Sequence, residues 1–397
     1  MKSGLIKLKR MNQENSIYIY GTGLWARNVY NVLMAHGIRI EGFVVTKDDG
    51  RKMLFELPVK EFVSISRENV FLVLGMNQHN TKEVRKYLAE QFFDEDRIIS
   101  VDNIMDSHDR RVGYDEIPTL DVTTRVGCSV DCKFCPQDLF IRKYFESNKV
   151  RESILSRETL RRCISNMPQD YAIQFGGFSE PFLNPFCIEL IEDICSLGKT
   201  IDLYTTLVGL NEEMLRRVME LPINCVCLHI ADEQGYAKIP PTEEYYRMLE
   251  MAVNYLRADG RPFVDMCNAQ AKPTRRALDI CRGKYDIPYT LLDRGGNLEG
   301  EDLVSKQISS GKISCGVCGS KLNKNELLPD GTVLLCCMDY GMKHVLGNLI
   351  EQPYEEIINS HEIQTIRQGM EEDYEKDILC RKCSCANLID ESVHLSV

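Results

Sequence analysis

Short β-rich segments alternate with longer amphipathic segments from Leu120 onward. The helical patterns include RETLRRCISNM and NEEMLRRVMEL, and the β-rich segments are DVTTRVG, YAIQFGG, TIDLYTT, CVCLHIA, PFVDMCN and YTLLD. A parallel pair of strands needs a crossover connection, so repeated strand–helix units predict a parallel sheet. These six segments predict an α/β fold with a partial (β/α)6 barrel of the TIM type over residues 109–300.

The chain is long enough for more than one hydrophobic core, because 397 residues predict two or three domains. Residues 1–108 are predicted to form a small α/β domain, since a strand from Ser16 leads through a tight turn and a helix to a second strand. The polar run 106–116 is the predicted join. Residues 301–397 contain seven cysteines and show no clear alternation, which predicts a small domain held by metal rather than by a large core.

Charge and hydropathy exclude two classes of partner. The net charge of −11 argues against nucleic acid, whose binding draws on clustered Lys and Arg. The longest apolar runs are too short to cross a bilayer, and the N-terminus lacks an apolar signal core, so no membrane is expected. The sequence therefore predicts a cytoplasmic protein.

The seventeen cysteines are not expected to form a disulfide framework, since a reducing compartment disfavours disulfides. Metal ligation is the better explanation for the clustered ones. The others sit singly or in apolar settings and are predicted to be small buried hydrophobes. These seven are Cys163, Cys187, Cys195, Cys225, Cys227, Cys267 and Cys281.

Cys128, Cys132 and Cys135 form C-x3-C-x2-C directly after the first predicted barrel strand. One loop can wrap three thiolates around a single site. An iron–sulfur cube held by four cysteines is coordinatively closed, whereas three leave one iron open to an exogenous ligand. A zinc site is the alternative, and its fourth ligand would have to be Asp131 or Asp138.

The segment GCSVDCKFCPQ resembles the signature of the radical S-adenosylmethionine (SAM) superfamily, including the aromatic Phe134 before the third cysteine. The resemblance covers roughly residues 117–300. It implies a 4Fe-4S cluster on the three cysteines, with SAM chelating the open iron. One-electron cleavage of SAM would release a 5′-deoxyadenosyl radical that abstracts a substrate hydrogen. An external one-electron reductant such as flavodoxin or ferredoxin is also implied.

Further positions fall where that family contacts SAM. The strand YAIQF runs into Gly176 and Gly177, similar to the family's glycine-rich loop, and glycines let backbone approach a ligand closely. Glu180 follows after two intervening residues and is expected to accept from the SAM ammonium, with a plain surface turn as the alternative. Thr205 stands where relatives often carry T-N-G. Arg294 ends the last predicted barrel strand, on the face where barrel active sites lie, although a solvated turn would explain it equally well.

A second set of cysteines lies near the C-terminus. Cys318 is followed by Gly331, Cys336 and, much later, Cys380 and Cys383, with PDGTVLLCC, LGNL and CRKC among the surrounding segments. This pattern resembles the C-terminal SPASM or shorter twitch extension of radical SAM enzymes. The region has too few cysteines, in the wrong spacing, for two clusters, so one auxiliary 4Fe-4S cluster on these four cysteines is expected.

Cys315, Cys337 and Cys385 are left over. Cys315 competes with Cys318, because both lie at a permitted distance from the following glycine. Adjacent Cys336 and Cys337 point in different directions and are not expected to serve one cube together. Zinc remains the alternative here, because the C-x2-C pairs also have zinc-ribbon spacing.

Gly21, Gly23 and Ala26 form G-x-G-x-x-A between a strand and a helix, a geometry that lets a helix N-terminus meet a pyrophosphate. The usual acidic residue at the end of the second strand is missing, since Asp48 and Asp49 come only later. The segment resembles Rossmann-like accessory domains found with sugar-modifying and polysaccharide-biosynthesis enzymes. A structural or docking role without nucleotide is the alternative.

The sequence therefore predicts a radical SAM oxidoreductase or rearrangement enzyme acting on a small molecule. Net oxidation is favoured, because the auxiliary cluster could accept an electron, and a sugar or nucleotide-sugar is the substrate expected by analogy. The alternatives are a maturase of a ribosomal peptide and a non-catalytic iron–sulfur or zinc scaffold. A nicotinamide dehydrogenase is disfavoured, because no catalytic constellation accompanies the N-terminal glycines.

Overall fold

The computed structural model describes residues 3–47, 52–76, 78–104, 117–147, 152–257, 262–281, 284–285, 287, 291–298, 300, 303, 307–371 and 377–389. Internal contacts divide the chain into two compact units, Met1–Ile117 and Pro118–Val397. The second unit includes residues from both of the predicted regions 109–300 and 301–397. The predicted join at 106–116, the boundary at 108 and the residues Asp48 and Asp49 lie outside the described residues.

The first unit is a mixed α/β structure around one sheet. Its helices are α1 (Ser3–Met11), α2 (Leu24–Ala35) and α3 (Gln78–Glu90). Its strands are β1 (Ser16–Tyr20), β2 (Gly42–Val45), β3 (Met53–Leu54), β4 (Leu57–Glu61), β5 (Val70–Leu74) and β6 (Ile98–Ser100). The sheet order is β3-β4-β2-β1-β5-β6, and all neighbouring strands are parallel except the β3–β4 pair.

The strand–turn–helix predicted around G-x-G-x-x-A is confirmed, since Gly21 and Gly23 connect β1 to α2. Ala26 in α2 packs directly on Gly75, which follows β5. A Cβ added to Gly75 would lie 2.5 Å from the Cα of Ala26, so only glycine fits there. The small residue of this motif thus has a packing role that does not depend on any ligand.

The second unit is built on a larger sheet. Its helices are α4 (Gln137–Ser147), α5 (Arg157–Ser165), α6 (Cys187–Ser196), α7 (Glu212–Met219), α8 (Glu243–Asn254), α9 (Arg275–Cys281), α10 (Tyr354–Ile358) and α11 (His361–Met370). Its strands are β7 (Thr119–Val122), β8 (Ala172–Phe175), β9 (Thr200–Thr205), β10 (Cys225–Ile230), β11 (Met266–Ala269), β12 (Ile313–Cys315), β13 (Lys324–Leu327), β14 (Thr332–Leu334), β15 (Val345–Asn348) and β16 (Ala386–Leu388).

Helix starts in this unit follow from side-chain caps. Ser156, Asn211, Thr242 and Ser360 each accept a hydrogen bond from the backbone N–H three residues later, at the first turns of α5, α7, α8 and α11. Such caps satisfy backbone donors that have no partner inside the helix. The helices predicted at RETLRRCISNM and NEEMLRRVMEL are confirmed.

The large sheet has the order β11-β10-β9-β8-β7-β13-β14-β15. The first five strands are parallel and correspond to five of the six predicted segments. The sixth segment, YTLLD, lies partly outside the described residues, and its described part is not among the eight strands of this sheet. Instead β13, from the cysteine-rich region, pairs in parallel with β7, and β14 and β15 continue the sheet antiparallel.

The C-terminal region shares an apolar core with the rest of the unit, which corrects the expectation that metal rather than a large core would hold it. Its fully buried side chains Leu327, Val333, Leu349, Ile357 and Ile366 belong to the cluster that also contains the interior residues of β7 to β11. Burying each such aliphatic side chain stabilises a fold by about 1.5–3 kcal/mol. None of the helices in the described ranges is long and apolar enough to cross a membrane.

All seventeen cysteines are free thiols. The seven predicted to be small hydrophobes are buried, which confirms that prediction: Cys163, Cys187, Cys195, Cys225, Cys227, Cys267 and Cys281. Most of the ten clustered cysteines are partly exposed instead. Solvent exposure therefore divides the cysteines into nearly the same two groups, isolated and clustered, as their positions in the sequence do.

Candidate functional site

A cavity of about 280 Å³ opens where the parallel strands of the second unit end. Its walls come from the loops after β7, β8 and β9 and from the ends of β10 and β11. Ligand sites in parallel α/β folds lie at the carboxyl ends of the strands. The cavity is therefore the candidate site.

The loop after β7 brings Cys128, Cys132 and Cys135 to this cavity. Two backbone hydrogen bonds fix the loop against the segment after β10: Lys133 N donates to Tyr236 O at 2.7 Å, and Lys238 N donates to Val130 O at 2.7 Å. The predicted convergence of the three cysteines on one site is thus present in the fold.

The three thiols have different surroundings. Cys128 Sγ accepts from the backbone N–H of Glu180 at 3.4 Å, and Cys135 Sγ accepts from the Gln137 amide at 3.3 Å. Burial raises the pKa of Cys128 and raises that of Cys132 more strongly. Ionising a buried thiol costs energy unless a positive charge lies nearby. A cationic metal centre would supply that charge and stabilise the thiolates.

Among the described residues, no three His, Cys, Asp or Glu side chains already surround a common point as metal ligands would. The donor set nevertheless fits an iron–sulfur cluster, because three thiols of one loop line one cavity. Asp131, the alternative fourth ligand for zinc, forms an ion pair with Lys238 instead. Phe134 does not line the cavity but packs edge-on against Tyr236, with ring centroids 5.3 Å apart.

Glu180 lines the cavity, but its carboxylate is already occupied. Its Oε1 accepts from Thr205 Oγ1 at 2.7 Å, and its Oε2 accepts from both the backbone N–H and the hydroxyl of Thr206 at 2.6 Å. The side chain is 5% exposed. Burial raises the pKa of Glu180 while these hydrogen bonds lower it. Glu180 and Thr205, predicted as separate contacts, therefore act together to join the loops after β8 and β9.

The glycine turn after β8 is a requirement of the fold. Gly177 has φ +64, and a Cβ there would lie 2.5 Å from Thr123 Oγ1 and even closer to the carboxyl group of Glu326. Left-handed backbone and lack of space both demand glycine at this position. The turn also places Gly176 and Gly177 in the cavity wall, as the sequence predicted.

Arg294 lines the same cavity and has φ +53. Its Nε is buried and has no hydrogen-bond partner among the residues that the structure describes. Electrostatic interactions with Tyr340, Cys135, Cys337 and Cys132 raise its pKa against the effect of burial. Arg294 is therefore a cation next to the cysteine loop. This favours a role for Arg294 in the candidate site over the alternative of a solvated turn.

A row of polar side chains crosses the sheet next to the cavity, which Asp121 and Gln174 of this row line. The sequence analysis did not single these residues out. Glu326, Asp121, Gln174 and Asp202 are register partners on β13, β7, β8 and β9. Burial beside each other raises the pKa of Asp121 to about 7 and raises that of Glu326 well above its ordinary range. Single polar residues at matching positions of apolar strands were the available signal.

The C-terminal region also reaches this cavity, through Cys337 and Tyr340. The Tyr340 ring packs on Phe178 with centroids 4.2 Å apart, and its hydroxyl lies 3.2 Å from Cys135 Sγ. Burial raises the pKa of Cys337. The candidate site is thus made from both the predicted barrel region and the cysteine-rich region.

The remaining C-terminal cysteines do not line the cavity. A hydrogen bond from Cys318 lowers the pKa of Cys315 to about 6, and one from Cys383 lowers the pKa of Cys385 to about 7. Burial raises the pKa of Cys336, which interacts electrostatically with Cys380. Of the adjacent pair, Cys337 lines the cavity and Cys336 does not.

Residues 318–384 match the family model of SPASM, an iron–sulfur cluster-binding domain. The chain carries a SPASM domain. The matched range contains the four cysteines predicted as ligands and excludes Cys315 and Cys385. The prediction of this domain is confirmed.

Several solved structures are similar to the chain at low sequence identity. BtrN in complex with AdoMet and 2-DOIA is 16% identical with a TM-score of 0.43, covering 64% of this chain and 87% of that one. Streptococcus suis SuiB bound to precursor peptide SuiA is 12% identical with a TM-score of 0.44, covering 77% and 82%. A histidine-tagged form of anSMEcpe with bound AdoMet is 14% identical with a TM-score of 0.40, covering 62% and 79%. No curated protein sequence matches the chain.

Two buried side chains hold the cysteine segment of the SPASM domain in place. Arg381, between Cys380 and Cys383, donates to four backbone carbonyls on two surrounding segments, 308–311 and 369–371. His344 Nε2 accepts from the backbone N–H of Leu379 at 3.1 Å, next to the first of these cysteines. Since buried carbonyls and amides need partners, these contacts position the C-x2-C pair before any metal is bound.

Proposed function

We propose that this chain is a radical SAM enzyme that abstracts a hydrogen atom from a small-molecule substrate. The observation that carries the proposal is that three thiols from one loop and a half-buried arginine, Arg294, line a single cavity at the ends of five parallel strands. When bound there, a 4Fe-4S cluster supplies the electron that cleaves SAM to a 5′-deoxyadenosyl radical. Three protein thiolates would leave the fourth iron for SAM.

The residues of the cavity have distinct roles in this proposal. Cys128, Cys132 and Cys135 hold the cluster. Arg294 would pair with the carboxylate of SAM, because it is a half-buried cation beside these thiols and its Nε has no hydrogen-bond partner among the described residues. The backbone at Gly177 approaches SAM closely. Glu180 shapes this wall and can accept from the SAM ammonium only by giving up a threonine hydrogen bond.

The SPASM domain would hold one auxiliary 4Fe-4S cluster, with Cys318, Cys336, Cys380 and Cys383 as ligands. Support comes from their position inside the matched range and from the two contacts that fix the C-x2-C pair. An auxiliary cluster can accept the electron of a substrate radical, so net oxidation is the reaction favoured. An external reductant such as flavodoxin or ferredoxin would supply the first electron.

The fold proposed for the second unit is a partial barrel of the TIM type, supported by its five consecutive parallel strands. For the first unit we propose a Rossmann-like domain, because its parallel strands have the order β4-β2-β1-β5-β6, which is that of doubly wound sheets. A sugar or nucleotide-sugar substrate remains a prediction by analogy. A cytoplasmic location remains a prediction from the sequence.

The proposal is tested by anaerobic reconstitution of the full chain with iron and sulfide, followed by iron analysis, electron paramagnetic resonance, and detection of 5′-deoxyadenosine after adding dithionite and SAM. Cys132→Ala should lose about half of the iron and all 5′-deoxyadenosine. Cys163→Ala is the matched control, since this buried cysteine is outside both groups, and it should retain both. Wild-type protein that contains only zinc, or that forms no 5′-deoxyadenosine, would favour a scaffold.

A further inference from the structure

The side chain of Tyr340 reaches the cysteine loop from the C-terminal region. Its hydroxyl oxygen lies 3.2 Å from Cys135 Sγ, although the two residues are 205 positions apart in the sequence. A free thiol can donate to this oxygen, but a thiolate that binds a metal has no proton, so the hydroxyl must then be the donor. The contact therefore becomes a hydrogen bond to a metal ligand when a cluster is bound.

The ring of Tyr340 is held in a position that keeps its hydroxyl beside this sulfur. It packs on Phe178 with ring centroids 4.2 Å apart, and edge-on against Phe140 with centroids 6.4 Å apart. All three rings belong to one buried apolar cluster, and Tyr340 is 3% exposed. Because close packing on the neighbouring rings fixes the ring, the hydroxyl keeps its place next to Cys135.

Cys135 has a second side-chain donor, from the helix that follows its loop. Gln137 Nε2 donates to Cys135 Sγ at 3.3 Å and also to the backbone carbonyl of Phe178. Only the nitrogen of an amide side chain can donate to both acceptors, which fixes the orientation of this amide. Cys128, by comparison, accepts from the backbone N–H of Glu180 at 3.4 Å. Of these donors, the tyrosine hydroxyl is the one that comes from the C-terminal region.

Hydrogen bonds to the sulfur ligands of an iron–sulfur cluster change its reduction potential. The reduced cluster carries one more negative charge than the oxidised one, and part of that charge lies on the sulfur atoms. A hydrogen-bond donor therefore stabilises the reduced form more and raises the potential. Arg294 acts in the same direction, because it is a cation that interacts electrostatically with Cys135 and Cys132.

We propose that Tyr340 raises the reduction potential of the cluster on the cysteine loop, through a hydrogen bond from its hydroxyl to Cys135 Sγ. The inference rests on the proposed function, because it assigns a regulating residue to the same site. A higher potential makes the first electron easier to obtain from an external reductant. The C-terminal region would thereby influence the first cluster through a side chain that is not a metal ligand.

The test is a redox titration of the reconstituted full chain, followed by electron paramagnetic resonance, for wild type and Tyr340→Phe. The signal of the first cluster is the one that changes when SAM is added, because SAM would chelate its open iron. Tyr340→Phe keeps the ring and removes the donor. We expect the ratio of reduced to oxidised cluster at a fixed potential to fall about tenfold, which lowers the midpoint potential by about 59 mV for a one-electron couple. An unchanged or higher potential would overturn the proposal.

Tyr144→Phe is the matched control. Tyr144 belongs to the same buried apolar cluster, and its hydroxyl donates to the backbone carbonyl of Glu152 rather than to a thiol. This variant should keep the potential of wild type. An equal shift in both variants would mean that packing of the aromatic rings sets the potential, and it would count against a role for the Tyr340 hydroxyl.

A second substitution keeps the proposal testable if Tyr340→Phe does not assemble the cluster. 3-Fluorotyrosine in place of Tyr340 keeps the ring and makes its hydroxyl a stronger donor, so the potential should rise above that of wild type. Burial raises the pKa of Tyr340 well above its ordinary value, which keeps this hydroxyl protonated. A potential equal to or below that of wild type would refute the assignment.

Failure of the two proposals can be told apart. Formation of 5′-deoxyadenosine by wild type, together with an unchanged potential in Tyr340→Phe, would refute the role of Tyr340 alone. A lowered potential in that variant, without any 5′-deoxyadenosine from wild type, would refute the radical SAM function and leave the hydrogen bond standing. Wild type that assembles no cluster on the three thiols would refute both.

Discussion

Replacing Arg381 should destabilise the second unit more than any single surface substitution. Its Nε donates to Gly369 O at 2.9 Å, its Nη1 to Gly311 O at 3.0 Å and Ile308 O at 3.4 Å, and its Nη2 to Glu371 O at 2.6 Å. The side chain is 9% exposed. Arg381→Met keeps most of the apolar stem but leaves four carbonyls without these donors. Each carbonyl left without a donor costs about 1–3 kcal/mol, and water that reaches the carbonyls offsets part of this cost. We therefore expect Arg381→Met to lower the free energy of unfolding by about 3–5 kcal/mol.

Urea denaturation followed by far-ultraviolet circular dichroism measures this loss. With a slope of about 2–3 kcal/mol per molar urea, the midpoint for the second unit should fall by about 1–2 M. Trp25 is the only tryptophan and lies in the first unit, so its fluorescence follows that unit separately. The midpoint of Arg381→Lys should fall between those of wild type and Arg381→Met, because a single ammonium cannot reach all four carbonyls on the two segments at once.

Lys382→Met is the matched control for this experiment. Lys382 is the adjacent residue, its side chain is 46% exposed, and it pairs with Asp377 at 3.0 Å. An exposed ion pair contributes about 0–1 kcal/mol, so the midpoint should hardly move. Equal shifts for Arg381→Met and Lys382→Met would show that the buried hydrogen bonds of the guanidinium do not hold this segment.

Three further substitutions test the site and its surroundings. Gly177→Ala should lower the midpoint of thermal unfolding, because it adds a Cβ in left-handed backbone against Glu326, and an unchanged midpoint would contradict that conformation. Glu180→Gln removes the charged acceptor from Thr206 and should cost about 2–4 kcal/mol in urea denaturation, whereas a neutral result would mean that the carboxylate is not engaged. Two arginines lower the pKa of Asp193 below its ordinary value of 3.8, so its stabilising effect is present above that pH and is lost as the pH falls through the folded-state pKa. The stability difference between wild type and Asp193→Asn should therefore be largest near neutral pH and shrink in acid; a difference independent of pH would exclude the ion pairs as its source.

The sequence predicted much of this fold because its signals were local. Five strand segments of the second unit and the turn between β1 and α2 were identified from hydrophobic pattern and glycine spacing. The pairing of β13 with β7 was not predicted. Pairing between strands about two hundred residues apart depends on which edges meet in space, and periodicity within each strand carries no such information.

In the candidate site, too, features local in the sequence were predicted and contacts between distant segments were not. The spacing of Cys128, Cys132 and Cys135 was enough to place them together, because they share one loop. Asp121 and Cys337 were both missed as cavity residues. Cys337 reaches the cavity only because the C-terminal strands join the sheet. A polar residue inside an apolar strand was a usable signal for Asp121, but nothing in the sequence distinguished Cys337 from its neighbour.

The parallel β7–β13 pair means that the two stretches of chain rich in cysteine cannot be separated as modules. A protein ending near residue 300 would expose the backbone hydrogen-bonding groups of β7 along an uncovered edge, and such edges recruit other chains. Engineers who wish to exchange the C-terminal half for that of another enzyme must therefore supply a replacement strand as well as replacement thiols.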